Sequence, residues 1–243
     1  MLDQLARQLR RDARITVLTG AGVSAASGVP TFRGPDGLWK NFRPESLATP
    51  DAFRRDPKLV WEWYDWRRQV LATKKPNRAH EVLATWSVRY PNFRLITQNV
   101  DGLHERAGTR NVIRFHGSIW EVLCWNNCKA SPPRWWDETV PFSIPPPCPH
   151  CGGIVRPGVV WFGEGIEPDV MRQSMDALDC DVFFTIGTSS MVYPAASLVH
   201  EAKARGAYTV EINMEATPAS RLLDLALQGP AKEILHNLEQ SRI

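Results

Sequence analysis

The sequence predicts an α/β fold, a Rossmann-like parallel sheet with a smaller ribbon-and-helix lobe, on three observations. Short β-branched, apolar runs alternate with helical periodicity, and the runs end in small or polar residues. The first run, Ile15-Thr16-Val17-Leu18-Thr19, leads directly into the Gly-rich turn GAGVSA. Two cysteine pairs, C-x3-C and C-x2-C, stand 19 residues apart in mid-chain. The sheet domain is expected from 1–33, 76–118 and 157–243, a flap and helical lobe from 34–75, and a zinc-ribbon module from 119–156.

Length and composition set the bounds. A chain of 243 residues, 43% hydrophobic and 23% charged, makes one large domain or one and a half. A net charge of +3 argues against nucleic acid or an anionic membrane as partner. No apolar run approaches the ~20 residues of a membrane span. The first residues lack the apolar core of a secretory signal. Arg7, Arg10, Arg11 and Arg14 would suit a transit peptide, but Asp3 and Asp12 do not. The segment reads instead as a surface helix with Leu2, Leu5, Ala6 and Leu9 on its buried face. A cytoplasmic monomer is expected.

The first strand and its turn form a dinucleotide fingerprint. Gly20 allows the tight turn and Gly22 lets the backbone approach a pyrophosphate. Ala25 stands where a small residue permits close helix–strand packing, and the helix start would face the anion. An ordinary strand–turn–helix corner remains the alternative. A dehydrogenase would continue to a second strand ending in an acid about 20 residues on. Here 28–37 reads GVPTFRGPDG, too rich in Gly and Pro for a helix, and carries Phe32 and Arg33 side by side. It reads as a long flap over the ligand.

From 44 to 73 the pattern turns helical, with two short helix starts and a longer helix capped by Asp56-Pro57. In that helix Tyr64 and Arg67 share a face. A phenol beside a guanidinium suits a carboxylate, although a half-buried Tyr and a surface ion pair would give the same spacing. A helix over 77–90 follows, with Ala79, Val82, Leu83 and Trp86 on one side. The strand 93–97 ends in Gln98, Asn99 and Asp101, placed either for ribose and amide groups or as turn and cap residues. The strand 112–115 ends in His116, whose ordinary pKa of about 6.5 suits a general base.

Cys124, Cys128, Cys148 and Cys151 then carry the spacing of a four-thiolate zinc ribbon, among the prolines 145, 146, 147 and 149. A disulfide framework would need an oxidising compartment, which nothing else supports. Four thiolates leave no open position, so the zinc would hold structure rather than activate water. Cys180 reads as a small buried hydrophobe. Strand character returns over 156–164. A helix (168–178), a strand (181–186) ending in Gly187-Thr188-Ser189, a helix (194–205), a strand (208–212) ending in Asn213, an apolar segment (222–227) and a last helix from 230 complete the alternation. Gly187, Thr188, Ser189 and Asn213 are candidates for the adenosine half of a dinucleotide.

Five pieces now stand in one order: GAGVSAASGVPTFR, TQNVD, HG, the paired cysteines, and GTSS followed by EIN. Together they resemble the sirtuins, the NAD-dependent protein deacylases, over nearly the whole chain. Tyr64 and Arg67 are similar to the Y-x-x-R signature of sirtuins that remove negatively charged acyl groups. The resemblance implies NAD+ and one structural zinc ion as cofactors and acyl-lysine proteins as substrates. Ala21, Ser24, Thr31, Trp39, Glu215 and Ala231 join the implied cofactor contacts. The acyl-lysine amide oxygen would attack the anomeric carbon as nicotinamide leaves, and His116 would take a proton from a ribose hydroxyl. Free lysine and O-acyl-ADP-ribose result. Phe32 would shield the ribose and Arg33 would hold the flap. Val160, Trp161 and Phe162 would form a sleeve for the lysine stem, with substrate backbone lying between Gly163-Glu164 and Val192. Protein ADP-ribosyl transfer, or an NAD-sensing zinc module without catalysis, are the rival readings of the same residues.

Overall fold

The structure, a computed structural model, describes residues 2–31, 43–129, 134–140 and 144–241. Its centre is a six-stranded sheet, all parallel, built from β1 (Ile15–Thr19), β2 (Phe93–Thr97), β3 (Val112–Arg114), β7 (Val182–Ile186), β8 (Tyr208–Asn213) and β9 (Leu225–Gln228) in the order β3-β2-β1-β7-β8-β9. β1 and β7 are buried at every position, as a parallel sheet covered on both faces requires. One face packs against α1 (Leu2–Gln8), α6 (Arg78–Arg89) and α10 (Ala231–Gln240), through Leu5, Leu9, Trp86, Leu235 and Leu238. The other is covered by α8 (Pro168–Asp176) and α9 (Leu198–Ala204), through Leu178, Leu198 and Val199. Strand order reverses between β1 and β7, and the crevice beyond the carboxyl ends of those strands is where such sheets take ligands.

The smaller lobe is a three-stranded antiparallel sheet, β5 (Arg134–Trp136), β4 (Gly117–Cys124) and β6 (Val155–Val159), with α3 (Pro44–Leu47), α4 (Pro50–Arg55) and α5 (Pro57–Ala72). Thr49 and Asp56 cap α4 and α5, each side chain accepting a backbone N–H three residues on. The helices pack on this small sheet: Phe53, Trp61, Trp63 and Tyr64 share one core with Ile119, Val122, Val155 and Trp161. Trp61 donates its indole N–H to Val155 O at 2.7 Å. The strand character expected after 156 thus belongs to β6, which pairs with β4 and not with the parallel sheet. The small sheet begins at Gly117 and ends at Val159, a few residues outside the expected 119–156.

One of the two short helices differs from expectation. α2 is a single turn, Gly22–Ala25, and α7 is Leu103–Arg106. One turn carries little macrodipole, so the expected anion-facing helix end is much reduced. Among the described residues no helix is long and apolar enough to cross a membrane.

Candidate active site

The polar residues singled out in the sequence converge on the carboxyl edge of the parallel sheet. Gly20, Ala21, Gly22 and Ser24 follow β1, Gln98, Asn99 and Asp101 follow β2, and His116 lies two residues past β3. Gly187, Thr188 and Ser189 follow β7, Asn213 and Glu215 follow β8, and Ala231 begins α10. Glu215 is exposed, and Thr31 is half-buried. Phe32, Arg33 and Trp39 lie outside the described residues.

Glycine is required at the switch point. Gly22 N–H donates to Gly187 O at 2.8 Å and Gly20 N–H to Ile186 O at 3.0 Å. A Cβ at Gly20 would meet Gly187 O at 2.7 Å, and one at Gly22 would meet Gly187 Cα at 2.7 Å. Gly187 itself sits at φ +60°, with Val23 N where its Cβ would go. Two turns therefore touch backbone to backbone with no side chain between them, at the crevice where such sheets take a pyrophosphate. Close packing expected of Ala25 is not found: its side chain is exposed, because the one-turn helix ends there. Gly187 supplies that close approach.

Beneath the cleft lies a saturated polar cluster. Ser24, fully buried, donates to Asp101 Oδ2 at 2.7 Å. It accepts from Asn99 Nδ2 at 3.3 Å, and His80 Nε2 stands 3.4 Å away. His80 Nδ1 accepts the Asn77 backbone N–H at 3.2 Å, so the neutral ring carries its proton on Nε2 and donates to Ser24. One donated and two accepted bonds use the whole capacity of the hydroxyl. Leu103 N–H meets Asp101 Oδ1 at 2.9 Å. Burial pushes the Asp101 carboxyl above the usual carboxylate range, against the pull of those two donors. Burial likewise lowers His80 to about 4 and holds His104, whose ring centroid is 4.9 Å from that of His80, well below its ordinary value. His80 and His104 are neighbours of this cluster that sequence reading passed over. The signal was present for His80: Asn77-x-x-His80 is a capping box with His in the Glu position.

His116 is oriented by its backbone neighbours. Its Nδ1 lies 3.2 Å from Gln98 O, a carbonyl that can only accept, so Nδ1 bears the proton and Nε2 keeps its lone pair. Val160 N–H donates to His116 O at 2.9 Å, which ties the His116 backbone to the chain leaving β6. Burial lowers the His116 pKa, with the Gln98 bond opposing. The group is a neutral base at neutral pH. Gln98 Nε2 donates to Thr188 Oγ1 at 2.8 Å and Asn213 Nδ2 to Thr188 O at 3.1 Å, linking the two halves of the crevice.

Tyr64 and Arg67 sit in the wall of the small lobe. Tyr64 is buried and its hydroxyl accepts the Trp161 indole N–H at 3.0 Å. Arg67 Cζ lies 4.7 Å from the Trp63 ring centroid and 5.7 Å from that of Tyr64. Arg67 is half-buried; burial lowers its pKa, while Tyr64 and Asp101 act to raise it. Trp161 is buried, Val160 half-buried, and Phe162 is 46% exposed at the rim beside Gly163. Glu164 is committed to Arg156 and to Trp161 N–H (2.8 Å), holding this loop in place. Val192 is half-buried between the exposed Met191 and Tyr193.

Cys124, Cys128, Cys148 and Cys151 place their four sulfurs within 4.8 Å of one another. The Cys124–Cys151 and Cys128–Cys148 sulfurs are 3.6 and 3.8 Å apart. Disulfides need about 2.05 Å. Zn–S bonds of about 2.3 Å in a tetrahedron put sulfurs about 3.8 Å apart. The cluster fits a zinc ion.

The Sir2 family pattern matches residues 20–194. The chain is 52% identical over 219 residues to the NAD-dependent protein deacylase of Aquifex aeolicus (strain VF5), covering 89% of this chain and 90% of that one. It is 51% identical over 238 residues to NAD-dependent protein deacylase 1 of Caldanaerobacter subterraneus subsp. tengcongensis, covering 97% of each. A solved Sir2 homolog–NAD complex superposes with a TM-score of 0.89 at 45% identity, covering 99% of this chain and 93% of that one.

Proposed function

The chain belongs to the Sir2 family, and from that premise we propose that it is a desuccinylase and demalonylase of protein lysines with weaker deacetylase activity. The coarser activity, NAD-dependent protein deacylation, is that of its relatives. The observation carrying the finer reading is Arg67, a half-buried cation stacked on Trp63 and Tyr64 beside the Trp161 wall. A carboxylate entering such a wall is costly unless a cation meets it. Arg67 can grip two oxygens, and the Tyr64 hydroxyl, which accepts from Trp161, has its proton to donate. An acetyl group offers neither residue a partner.

The remaining roles follow from position. Gly20, Ala21 and Gly22 with Gly187, Thr188 and Ser189 hold the pyrophosphate and adenosine side of NAD+. Asn213, Glu215 and Ala231 border the adenosine, and Thr31, Phe32, Arg33 and Trp39 belong to the flap. Bound NAD+ supplies an electrophilic anomeric carbon and nicotinamide as its leaving group. Ser24, Asn99 and Asp101 form a dry polar floor for the nicotinamide end, with Gln98 toward the ribose. His116 would take a ribose hydroxyl proton at Nε2, the nitrogen left with its lone pair by the Gln98 bond at Nδ1. Val160, Trp161 and Phe162 enclose the lysine stem, and substrate backbone adds between Gly163-Glu164 and Val192. The four cysteines hold one zinc ion, and a thiolate cluster of this kind suits a reducing compartment such as the cytoplasm. One chain contains all these parts, in keeping with action as a monomer.

The test is Arg67→Met, assayed on succinyl-, malonyl- and acetyl-lysine peptides. Desuccinylation kcat/KM should fall by roughly a hundredfold, the scale of an unpaired buried carboxylate, and deacetylation by far less. Equal losses on all three substrates would remove Arg67 from acyl recognition.

A further inference from the structure

One buried aromatic of the small sheet reaches into the floor of the cleft. Trp120, on β4, is 2% exposed and donates its indole N–H to Asp101 O at 2.8 Å. Next to it, Ile119 N–H donates to Val100 O at 3.0 Å. Gly102, at φ +77°, is packed so closely that a Cβ there would meet the Trp120 ring at 3.0 Å. The turn that carries Asp101 is thus held from one side by two β4 groups.

The ring itself is held in turn by two cations. Arg68 Cζ, from α5, lies 5.2 Å from its centroid, and Arg106 Cζ, from α7, 5.0 Å. Both guanidiniums are anchored to backbone: Arg68 to Ile119 O at 3.2 Å, Arg106 to Leu71 O at 3.1 Å. A single side chain therefore joins the helical lobe, the small sheet and the turn after β2. Through Trp120 and Ile119 these contacts reach the main chain of 100–102, and the Asp101 carboxylate there accepts from the Ser24 hydroxyl.

We propose that Trp120 is a positioning residue, whose bond to Asp101 O sets the Asp101–Ser24 pair and so tunes how tightly the nicotinamide end is held. This rests on the reading of Ser24 and Asp101 as the floor of that pocket. Trp120 touches no reacting atom and acts through the turn. Removing its N–H leaves Asp101 O buried without its donor and frees the turn to rotate. The carboxylate and hydroxyl then lose their alignment, while the pyrophosphate turns at Gly22 and Gly187, held by their own backbone bonds, stay in place.

Trp120→Phe removes the N–H and keeps an aromatic ring; Arg106→Met, which releases one face of the ring, is the second variant. The inhibition constant of nicotinamide against deacylation, and calorimetric dissociation constants for NAD+ and for ADP-ribose, are measured on the full chain, with Ser24→Ala and Asp101→Asn alongside. Trp120→Phe should raise the nicotinamide constant roughly tenfold and weaken NAD+ more than ADP-ribose, as loss of a buried hydrogen bond predicts. Arg106→Met should shift both the same way by a smaller factor. Should Ser24→Ala and Asp101→Asn shift the nicotinamide constant while Trp120→Phe and Arg106→Met leave it alone, the positioning role is overturned and the pocket stands. Should Ser24→Ala and Asp101→Asn also leave it unmoved, the pocket reading falls and takes the inference with it. If Trp120→Phe does not fold, the Arg106→Met result decides: an unchanged nicotinamide constant overturns the proposal.

Discussion

Replacing His80 with glutamine should make the protein markedly less sensitive to acid. His80 Nδ1 accepts the Asn77 N–H at the start of α6, and the ring is fully buried beside His104. Protonation would set an N–H donor against that backbone donor inside a dry core. Burial accordingly lowers the folded pKa to about 4, against an unfolded value of about 6.5. The unfolded chain therefore takes up a proton first as pH falls. The stability from neutral His80 is complete above pH ~6.5 and is lost progressively as pH falls toward about 4. Integrating the proton uptake between pH 7.5 and 4.5 gives a loss of roughly 2–3 kcal/mol from this one group. Glutamine at the third helical position can still accept the N-cap N–H, so the cap survives without the titration. Urea unfolding curves at the two pH values, read by linear extrapolation, give the loss for each protein. Acid loosening of thiolate–zinc bonds is common to both and cancels in the difference. The wild type should lose roughly 2–3 kcal/mol more than His80→Gln. Equal losses would show that His80 carries no such burden.

Four further outcomes follow from the same geometry. The lowered pKa of His116 places the acid limb of kcat/KM below pH ~6.5: activity holds above that limb and falls as pH drops through it. His116→Ala should abolish turnover while calorimetry still detects NAD+ binding. Gly187→Ala should weaken NAD+ binding by at least roughly tenfold and lower Tm, since a Cβ there meets Val23 N in a positive-φ turn; unchanged affinity would refute the backbone cleft. A strong chelator should draw one zinc ion per chain, measured by elemental analysis, and lower Tm. Cys124 and Cys148 belong to the same core as Phe53, Trp61 and Trp161, so the helical lobe should loosen with the metal.

Much of the scaffold could be read from local pattern. β1, β2, β7 and β8 appear as short β-branched runs because a strand buried on both faces needs no polar alternation. The cysteine spacing located the sulfur cluster because four ligands of one ion must come from two tight turns. His116, Gln98 and Asn99 were legible because strand ends in a parallel sheet share one edge. Spacing could also place Tyr64 and Arg67 on one helical face, since that relation is set within two turns.

What needed the tertiary structure was every relation between elements distant in sequence. Ala25 fitted a fingerprint position, yet Gly187, from a strand far along the chain, makes the close approach to Gly22. The run after 156 looked like another parallel strand, because hydrophobicity does not record which partner a strand's hydrogen bonds will meet; β6 found β4. His80 and His104 read as ordinary helix residues, and only packing removed them from water and so shifted their protonation. Composition and local period determine which segments become strands, helices and metal knuckles, since those energies act over a few residues. Burial, long-range pairing and the electrostatics that come with them exist only once the chain has closed on itself.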